Sequence, residues 1–454
     1  MDFTPQQAIL ELGDPFYDPV RAARFPQTIL RFRNDRAAAQ VGLEGLSDAE
    51  WIAHFGRFEP LAGSLPTPLA LRYHGHQFRV YNPEIGDGRG FLFAQMTDIR
   101  GRLMDLGTKG SGQTPYSRFG DGRLTLKGGV REILATEMLE ALNVPTSRTF
   151  SLIETGEELH RGDEPSPARS SVLVRLNHGH IRIGTFQRLA HFRETGAMER
   201  LTGYVLRQFY GEEPGADAPA RLLTHVVRRT ATLAARFMAA GFVHGVLNSD
   251  NINVTGESFD YGPWRFAPFW EPGFTAAYFD HAGLYAFGRQ PEAIYWGAMQ
   301  LAISLRQIAD EEPLIEAMEG FADIYQREVS TALLWRLGVT PRGTETDRIL
   351  TNVLEKALAE TLVPLDEFFF EAFGGDLPTH YGEAFDDLRG QLAFYKARKP
   401  RDHAYWSGAP CSMLIDEVEA IWAAIAEADD WGPLYAKVAA IRQLGEALRS
   451  SDGA

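Results

Sequence analysis

Three polar side chains near the middle of the 454-residue sequence have the donor atoms that a metal-dependent transfer reaction requires. Asp250 and Asn251 end the segment His244-Gly-Val-Leu-Asn-Ser-Asp-Asn251, and Asp260 begins the segment Asp260-Tyr-Gly-Pro263. Asn and Asp supply hard oxygen ligands that suit Mg²⁺ or Mn²⁺. A neighbouring free carboxylate can act as a base. The three residues are therefore candidates for a metal site with an adjacent proton acceptor.

The elements around these residues are predicted to hold them in loops. An amphipathic run over Leu222–Ala240 predicts a helix, and the alternation in Ile252–Val254 predicts a short strand. Helix, loop, short hairpin and Asp-aromatic-Gly are typical of the catalytic region of protein kinases. A conventional kinase, however, has its base two residues after the first His, where this sequence has Val246. Either the site is catalytically silent or Asp250 does a related job from another position.

Two glycine-bearing loops are candidate phosphate contacts. The segment 86–90 (Gly-Asp-Gly-Arg-Gly) directly precedes a predicted strand over Phe91–Gln95, and its Arg89 can fork onto phosphate oxygens. A hairpin turn with a surface Arg is the alternative for this loop. Asp121-Gly122-Arg123 is a second polar loop, for which an ordinary turn is the alternative.

A lysine and a glutamate in the same region are candidates for an ion pair that holds ATP phosphates. Lys109 closes a predicted strand over 102–109, and a predicted helix over 127–142 follows. Glu132 lies outside the apolar stripe of this helix and Glu137 lies within it. From spacing alone, Glu137 is a rival partner or a buried carboxylate with a structural partner, and Lys109 itself is open to being a surface residue.

Arg175 and Arg182 stand among apolar neighbours. Strands are predicted over Arg148–Ile153 and Ser171–Leu176 with an exposed loop over 156–169 between them, and Ile181–Ile183 repeats the apolar-Arg-apolar pattern. An unpaired buried charge is costly, so each Arg needs an anionic partner. One carboxylate each would satisfy them structurally, whereas two guanidiniums on neighbouring segments make a pocket for a polyphosphate.

The histidines of these segments are predicted to be structural. His244 has no second His or Cys at ligand spacing, so we expect it to bond the backbone near its loop. The segment Gly75-His-Gln-Phe78 is expected to be a packed turn.

Composition excludes several classes of protein. The formal net charge of -15 argues against non-specific nucleic-acid binding. A single cysteine, Cys411, fits a reducing compartment and leaves no internal disulfide. No window approaches 18 consecutive apolar residues, and the first residues lack the pattern of a signal peptide. We therefore expect a cytoplasmic protein with no nucleic-acid or membrane partner, and the sequence leaves its oligomeric state open.

The order of the predicted elements indicates an α+β, protein-kinase-like two-lobe fold with a β-rich N-lobe, a helical C-lobe and extensions at both ends. Ser47 is expected to cap a helix in the first part, and helices are expected over 413–428 and 434–448 in the last. The predicted divisions are an N-terminal extension (1–60), an N-lobe with nucleotide-binding loops (61–185), a C-lobe with catalytic and metal loops (186–397) and a C-terminal helical extension (398–454).

Taken together, these segments resemble the selenoprotein O family of kinase-fold protein adenylyltransferases from about Gly13 to about Leu305. The matching segments are Tyr73-His-Gly-His-Gln-Phe78, 86–90, Lys109-Gly-Ser-Gly-Gln-Thr-Pro-Tyr-Ser-Arg118, Gly120-Asp-Gly-Arg123, Arg131-Glu132, Val174-Arg-Leu176, His180-Ile-Arg-Ile-Gly184, 244–251 and 260–263.

The resemblance implies transfer of AMP from ATP to Ser, Thr or Tyr hydroxyls of protein substrates, with release of pyrophosphate and with ATP reversed relative to ordinary kinases. It implies that Asp250 is the base, that Asn251 and Asp260 hold Mg²⁺ or Mn²⁺, and that Glu132 rather than Glu137 pairs with Lys109. The nucleotide would be lined by Gly86, Gly88, Arg89, Lys109, Asp121, Gly122, Arg175, Arg182 and Asp260, with Glu132 behind them.

Family members often have Cys or selenocysteine near the C-terminus, whereas this sequence ends Ser450-Ser-Asp-Gly-Ala454. Disulfide control within the chain is therefore not expected. The alternatives to AMP transfer are a conventional kinase that moves the γ-phosphate and a silent nucleotide-binding scaffold. The sequence also leaves open whether UMP is transferred.

Overall fold

Antiparallel pairing joins distant stretches of the chain into one nine-stranded sheet in the computed structural model, which describes residues 2–162 and 164–449. Its main path runs β2-β4-β7-β8-β11-β10-β3, with β1 on β7 and β9 on β11; β5 with β6 and β12 with β13 form two small separate ladders. The strands are β1 Pro5–Gln6, β2 Tyr17–Pro19, β3 Ile29–Arg33, β4 Leu69–Leu71, β5 Gly75–Gln77, β6 Val80–Asn82, β7 Leu92–Thr97, β8 Leu103–Lys109, β9 Leu124–Thr125, β10 Arg148–Leu159, β11 Ala168–Asn177, β12 Phe242–Val243 and β13 Arg265–Phe266.

Helices cover the sheet and make up most of the second half of the chain, so the fold is a mixed α/β fold. Within the described ranges, no helix is both long and apolar enough to cross a bilayer. The helices are α1 Asp35–Ala39, α2 Asp48–Phe55, α3 Leu126–Ala141, α4 Ile183–Phe192, α5 Thr195–Val205, α6 Ala218–Ala240, α7 Gln290–Leu305, α8 Glu311–Leu337, α9 Thr344–Thr361, α10 Leu365–Glu371, α11 Asp386–Leu392, α12 Ile415–Ala428 and α13 Gly432–Leu448.

The central strands are buried on both faces. In β10, Leu152 belongs to the core cluster that contains α3, whereas Phe150 and Ile153 belong to the cluster with Trp51 and Phe55 of α2. Helix α2 begins with the predicted cap, since the Ser47 side chain accepts from the backbone N–H of Glu50 in a capping box. The first 60 residues thus supply strands and a covering helix to the sheet that positions the site.

The ends of the chain meet on α3. Helix α13 packs along α3, and Arg442 forms a bidentate ion pair with Glu137 at 2.7 and 2.9 Å. Glu137 therefore has a structural partner, which was one of the two interpretations of its place in the apolar stripe. The last five residues of the sequence, 450–454, lie outside the described residues.

One strand prediction is wrong. Ile252–Val254 makes only a single bridge, between Asn253 and Arg182. The Asn253 side chain bonds nearby backbone at Gly179 and Thr255, which turns the chain instead of extending it. Arg182, on the other side of that bridge, is the N-cap residue of α4.

The predicted exposed loop over 156–169 is too long. Strand β10 continues to Leu159 and β11 begins at Ala168, with Glu158 opposite Arg169. Arg169 also forms two hydrogen bonds of 2.7 Å with Glu154. Cross-strand pairs between charged side chains extend the hairpin, and a pattern of hydrophobicity alone does not detect them.

Candidate active site

One cavity of about 850 Å³ contains nearly all the predicted site residues. It lies where β8, β11 and the glycine loop face the turn that follows α6. The predicted residues on its wall are Gly86, Gly88, Arg89, Lys109, Asp121, Gly122, Arg175, Arg182, Asp250, Asn251 and Asp260. Glu132 is buried directly behind Lys109.

Three cations converge on Asp260 at the buried end of this cavity. Arg175 Nη1 donates to Asp260 Oδ1, Arg182 Nη1 donates to Asp260 Oδ2 at 3.0 Å, and Lys109 Nζ lies 3.6 Å from Oδ1. Burial by itself would raise the pKa of Asp260, but the three cations hold it well below its usual range. Asp260 adopts a left-handed backbone conformation (φ 61°), which places its side chain in this cluster.

Strand pairing places Lys109 beside Arg175. In the β8–β11 ladder, Lys109 is opposite Leu173 and Arg175 is opposite Gly107, so both side chains leave the sheet two positions apart. Lys109 Nζ donates to Glu132 on α3. The structure therefore contains the Lys109–Glu132 pair that the family resemblance implies.

Arg182 connects the turn at Asp250 to the glycine loop (residues 86–90). Its side chain is 3% exposed, and Nη1 also donates to the Asp250 carbonyl at 2.9 Å while Nη2 reaches Asp87 at 3.3 Å. The guanidinium lies over the rings of Tyr73 and Phe259 at 4.4 and 4.6 Å. The two arginines thus have carboxylate partners, as the structural interpretation requires, and also line one cavity together, as the polyphosphate interpretation requires.

Asp250 lies in a short 3₁₀ turn, Ser249–Asn251, at the edge of the cavity. Burial raises its pKa to about 6. Its Oδ1 is buried and has no hydrogen-bond partner among the described residues. Asp250 lines the cavity, so its carboxylate is the candidate to accept a proton from a ligand.

The β5–β6 hairpin closes over this turn. The backbone N–H of His76 donates to Ser249 Oγ at 2.7 Å, and that of Phe78 donates to Asn248 Oδ1 at 3.0 Å. A Cβ at Gly75 would lie 2.6 Å from Asp250 Oδ1, so only Gly allows this approach. The 75–78 segment is the packed turn that the sequence predicts. It is also a wall of the site. The sequence does not indicate this second role, because the contact between Gly75 and Asp250 joins residues more than 170 positions apart.

Two residues of the catalytic loop are held by the backbone. Asn251 Nδ2 donates to the Val246 carbonyl at 2.9 Å, which fixes the amide and leaves its oxygen as a possible ligand atom. His244 Nε2 lies 3.0 Å from the Phe259 carbonyl, so the structural interpretation of His244 is confirmed.

The glycine loop is shaped mainly by packing. A Cβ at Gly86 would lie 2.5 Å from the Tyr116 ring, and one at Gly90 would lie 2.1 Å from the Thr108 carbonyl. The Ser117 hydroxyl donates to the Gly88 carbonyl. Arg89 is exposed on the cavity wall, where it can reach a ligand.

The Asp121 loop lies at the outer rim. Asp121 is bound by Arg161 at 2.8 and 3.1 Å, and Gly122 has a φ of +70° at a close backbone contact. Arg161 and His160 also line the cavity and were not predicted. They come from the β10–β11 connection, which has no recognisable motif.

The Asn251–Asp260 pair fits a divalent cation that also binds phosphate. No group of three or more His, Cys, Asp or Glu that could enclose a metal occurs in residues 2–162 or 164–449. Mg²⁺, however, commonly takes one or two protein oxygens and completes its shell with phosphates and water. The fixed Asn251 amide and the Asp260 carboxylate supply hard donors of that kind.

Grouped cations, an Asn–Asp pair and a buried carboxylate on one cavity define a transferase of phosphate-containing groups. The family model described as "Protein adenylyltransferase SelO" matches residues 1–385, and the chain belongs to this family. It is 42% identical to the protein nucleotidyltransferase YdiU of Synechocystis sp., over 95% of this chain and 96% of the relative. It is 47% identical to that of Synechococcus elongatus, over 85% of this chain and 76% of the relative. The chain is therefore a nucleotidyltransferase enzyme.

Proposed function

We propose that the protein transfers AMP from ATP to Ser, Thr or Tyr hydroxyls of other proteins, in a kinase-like two-lobe fold that binds ATP reversed. The observation that supports this most is the chemistry of the buried end of the cavity. This end of the cavity is formed by three buried cationic residues: Lys109, Arg175 and Arg182. Such a floor favours the phosphate tail over adenine, since a purine ring gains little from three desolvated cations.

With the tail of ATP on this floor, the α-phosphorus faces the catalytic turn. The attacking hydroxyl oxygen forms a bond to the α-phosphorus, and the bond from that phosphorus to the bridging oxygen breaks. Pyrophosphate leaves with the electron pair, and the Asp250 carboxylate takes the hydroxyl proton. Lys109, Arg175 and Arg182 offset the negative charge that develops on the leaving group.

Asn251 and Asp260 would hold Mg²⁺ or Mn²⁺, which supplies charge neutralisation for the phosphates when bound. Residue types alone do not distinguish the two ions. The lobes we propose are residues 61–185 and 186–397, flanked by extensions over 1–60 and 398–454.

Labelled ATP tests the proposal. Purified protein is incubated with a mixed protein substrate, Mg²⁺ or Mn²⁺, and ATP labelled at either the α or the γ position. We expect label on protein from the α position only. Label from the γ position only would establish a conventional kinase, and label from neither would establish a scaffold.

Asp250→Asn tests the proposed base. We expect it to reduce transfer by about 10²-fold or more while ATP binding changes little, since it removes the proton acceptor but not the phosphate contacts. Asp366→Asn is the matched control, because Asp366 is a carboxylate whose pKa is also raised by burial but which lies away from the cavity. An Asp250→Asn protein with full activity would refute the assignment.

A further inference from the structure

A second concave site lies behind the catalytic loop. It is a cavity of about 400 Å³ between the turn before β8, the end of β11 and the outer side of α6. None of the predicted site residues lines it. Its wall includes one carboxylate, that of Glu257. It also includes four arginines and a histidine: Arg102, Arg207, Arg229, Arg236 and His178.

Two of the arginines are neutralised and two are not. Arg102 is paired with Asp98 at 2.7 Å, and Arg207 lies 3.2 Å from Glu11. Arg229 and Arg236 have no carboxylate oxygen within ion-pairing distance in the described part of the chain; Arg236 instead donates to the Asn143 carbonyl at 2.8 Å. In a protein with a net charge of -15, this concentration of unpaired positive charge in a cavity is unusual.

The two unpaired arginines are neighbours on α6, where Arg229 is exposed and Arg236 is half-buried. They lie seven residues apart on α6, two turns along the same face. The backbone and Cβ of Arg229 pack against Gly256, where an added Cβ would lie 2.7 Å from Arg229 Cβ. Burial lowers the pKa of Arg236, Glu328 raises it and the neighbouring Arg229 lowers it, so an anion between the two arginines would relieve their repulsion.

We propose that this cavity is a binding site for a small phosphate-bearing anion, with Arg229 and Arg236 as its principal ligands. Guanidinium groups bind phosphate oxygens through charge-assisted, often bidentate hydrogen bonds. The concave shape and the volume suit a small molecule rather than an extended polyanion. The ring of Tyr210, whose hydroxyl donates to the Val254 carbonyl at 2.6 Å, forms part of the apolar wall. This proposal does not depend on the reaction that the main cavity catalyses.

Calorimetric titration of the full chain with inorganic tripolyphosphate in the presence of Mg²⁺ tests it. We expect two binding events in the wild-type protein, one at each cavity. Arg229→Ala should weaken the binding event at the second cavity about tenfold or more and leave the event at the main cavity unchanged. Arg182→Met should remove the event at the main cavity. Arg228→Ala is the matched control, because Arg228 is the adjacent arginine of α6, is exposed like Arg229 and does not line the cavity.

Each outcome decides the proposal. A titration of Arg229→Ala that matches the wild-type protein would overturn it, as would an equal loss in Arg228→Ala, which would indicate general electrostatic attraction. An Arg236→Ala variant supplies a second measurement if Arg229→Ala fails to fold. Unfolding midpoints of all variants, measured without ligand, show that the binding loss is not a folding defect.

Discussion

Replacement of Arg182 by Met should separate the structural role of this arginine from its binding role. Met keeps much of the length of the side chain and removes its charge and its donors. The wild-type guanidinium serves Asp260, Asp87 and the Asp250 carbonyl. Removing one partner of a buried ion pair costs about 3–5 kcal/mol of folding free energy. Against a total of about 5–15 kcal/mol, the variant should remain folded with a lower unfolding midpoint.

The binding loss follows from hydrogen bonds to phosphate. A hydrogen bond that involves a charged group contributes about 1.5–3 kcal/mol. At about 1.4 kcal/mol for each factor of ten, loss of one such contact weakens ATP binding about 10- to 150-fold. Calorimetry with a nucleotide whose α–β bridge cannot be cleaved measures the loss of affinity without turnover. Denaturant titration measures the free energy of unfolding.

Arg336→Met is the matched control. Arg336 is also buried, donates to the Ala239 carbonyl, lies 3.7 Å from Asp366 and stacks 4.1 Å from the Phe369 ring. It lies outside the main cavity, so its loss should lower stability to a similar extent and leave nucleotide affinity within about twofold. Nucleotide binding by Arg182→Met at wild-type strength, or an equal binding loss in Arg336→Met, would refute the polyphosphate role of Arg182.

Two further predictions concern carboxylates. Glu132→Gln should weaken nucleotide binding about tenfold by releasing Lys109, whereas Glu137→Gln should cost about 1–3 kcal/mol of stability through Arg442 and leave binding unchanged; calorimetry and denaturant titration compare the two. Burial raises the pKa of Glu355 from 4.5 to about 7. The folded protein therefore retains a proton that the unfolded chain has lost across this window, so the free energy of unfolding falls as pH rises through it. Glu355→Gln should be more stable than wild type at about pH 8, by at most about 3 kcal/mol, and equal to it at about pH 4. The same difference in free energy of unfolding between variant and wild type at both pH values would contradict this.

Helices with a clear apolar period were predictable from the sequence. The helix predicted over 127–142 is α3 (Leu126–Ala141), and the one predicted from Leu222 is the greater part of α6 (Ala218–Ala240). Both present one continuous apolar face to a core, which is the signal that periodicity measures. The short strand predicted at Ile252–Val254 had no such support, because the side chain of its polar residue, Asn253, accepts from the local backbone N–H of Thr255 and turns the chain.

The composition of the site was more predictable than its contacts. Motif spacing indicated Lys109, Arg175 and Asp260 but did not reveal that Arg175 and Arg182 share one carboxylate, because that depends on the φ of 61° at Asp260. Periodicity left Glu137 open as a rival partner of Lys109 or as a buried carboxylate with a structural partner. The partner of Glu137 is Arg442, 305 residues away, and no local pattern reports such a contact.

The charge balance of the buried cluster leads to a final prediction. Lys109, Arg175 and Arg182 are already balanced by Glu132, Asp87 and Asp260, so this buried cluster by itself brings no surplus positive charge to a triphosphate. A divalent cation supplies that surplus, and Asp260 is both its proposed ligand and the present partner of the arginines.

Asp260→Asn should therefore have opposite effects on two quantities: nucleotide affinity without divalent cations, which should rise, and the gain in affinity with Mg²⁺, which should fall. Without divalent cations, loss of a negative charge and release of the arginines should strengthen binding relative to wild type. With Mg²⁺, the variant should gain little further affinity, whereas the wild-type protein should gain about tenfold or more. Calorimetry with and without EDTA completes the comparison. A variant that keeps the full enhancement by Mg²⁺ would show that Asp260 serves only the arginines, and the metal would then need ligands other than the Asn251–Asp260 pair.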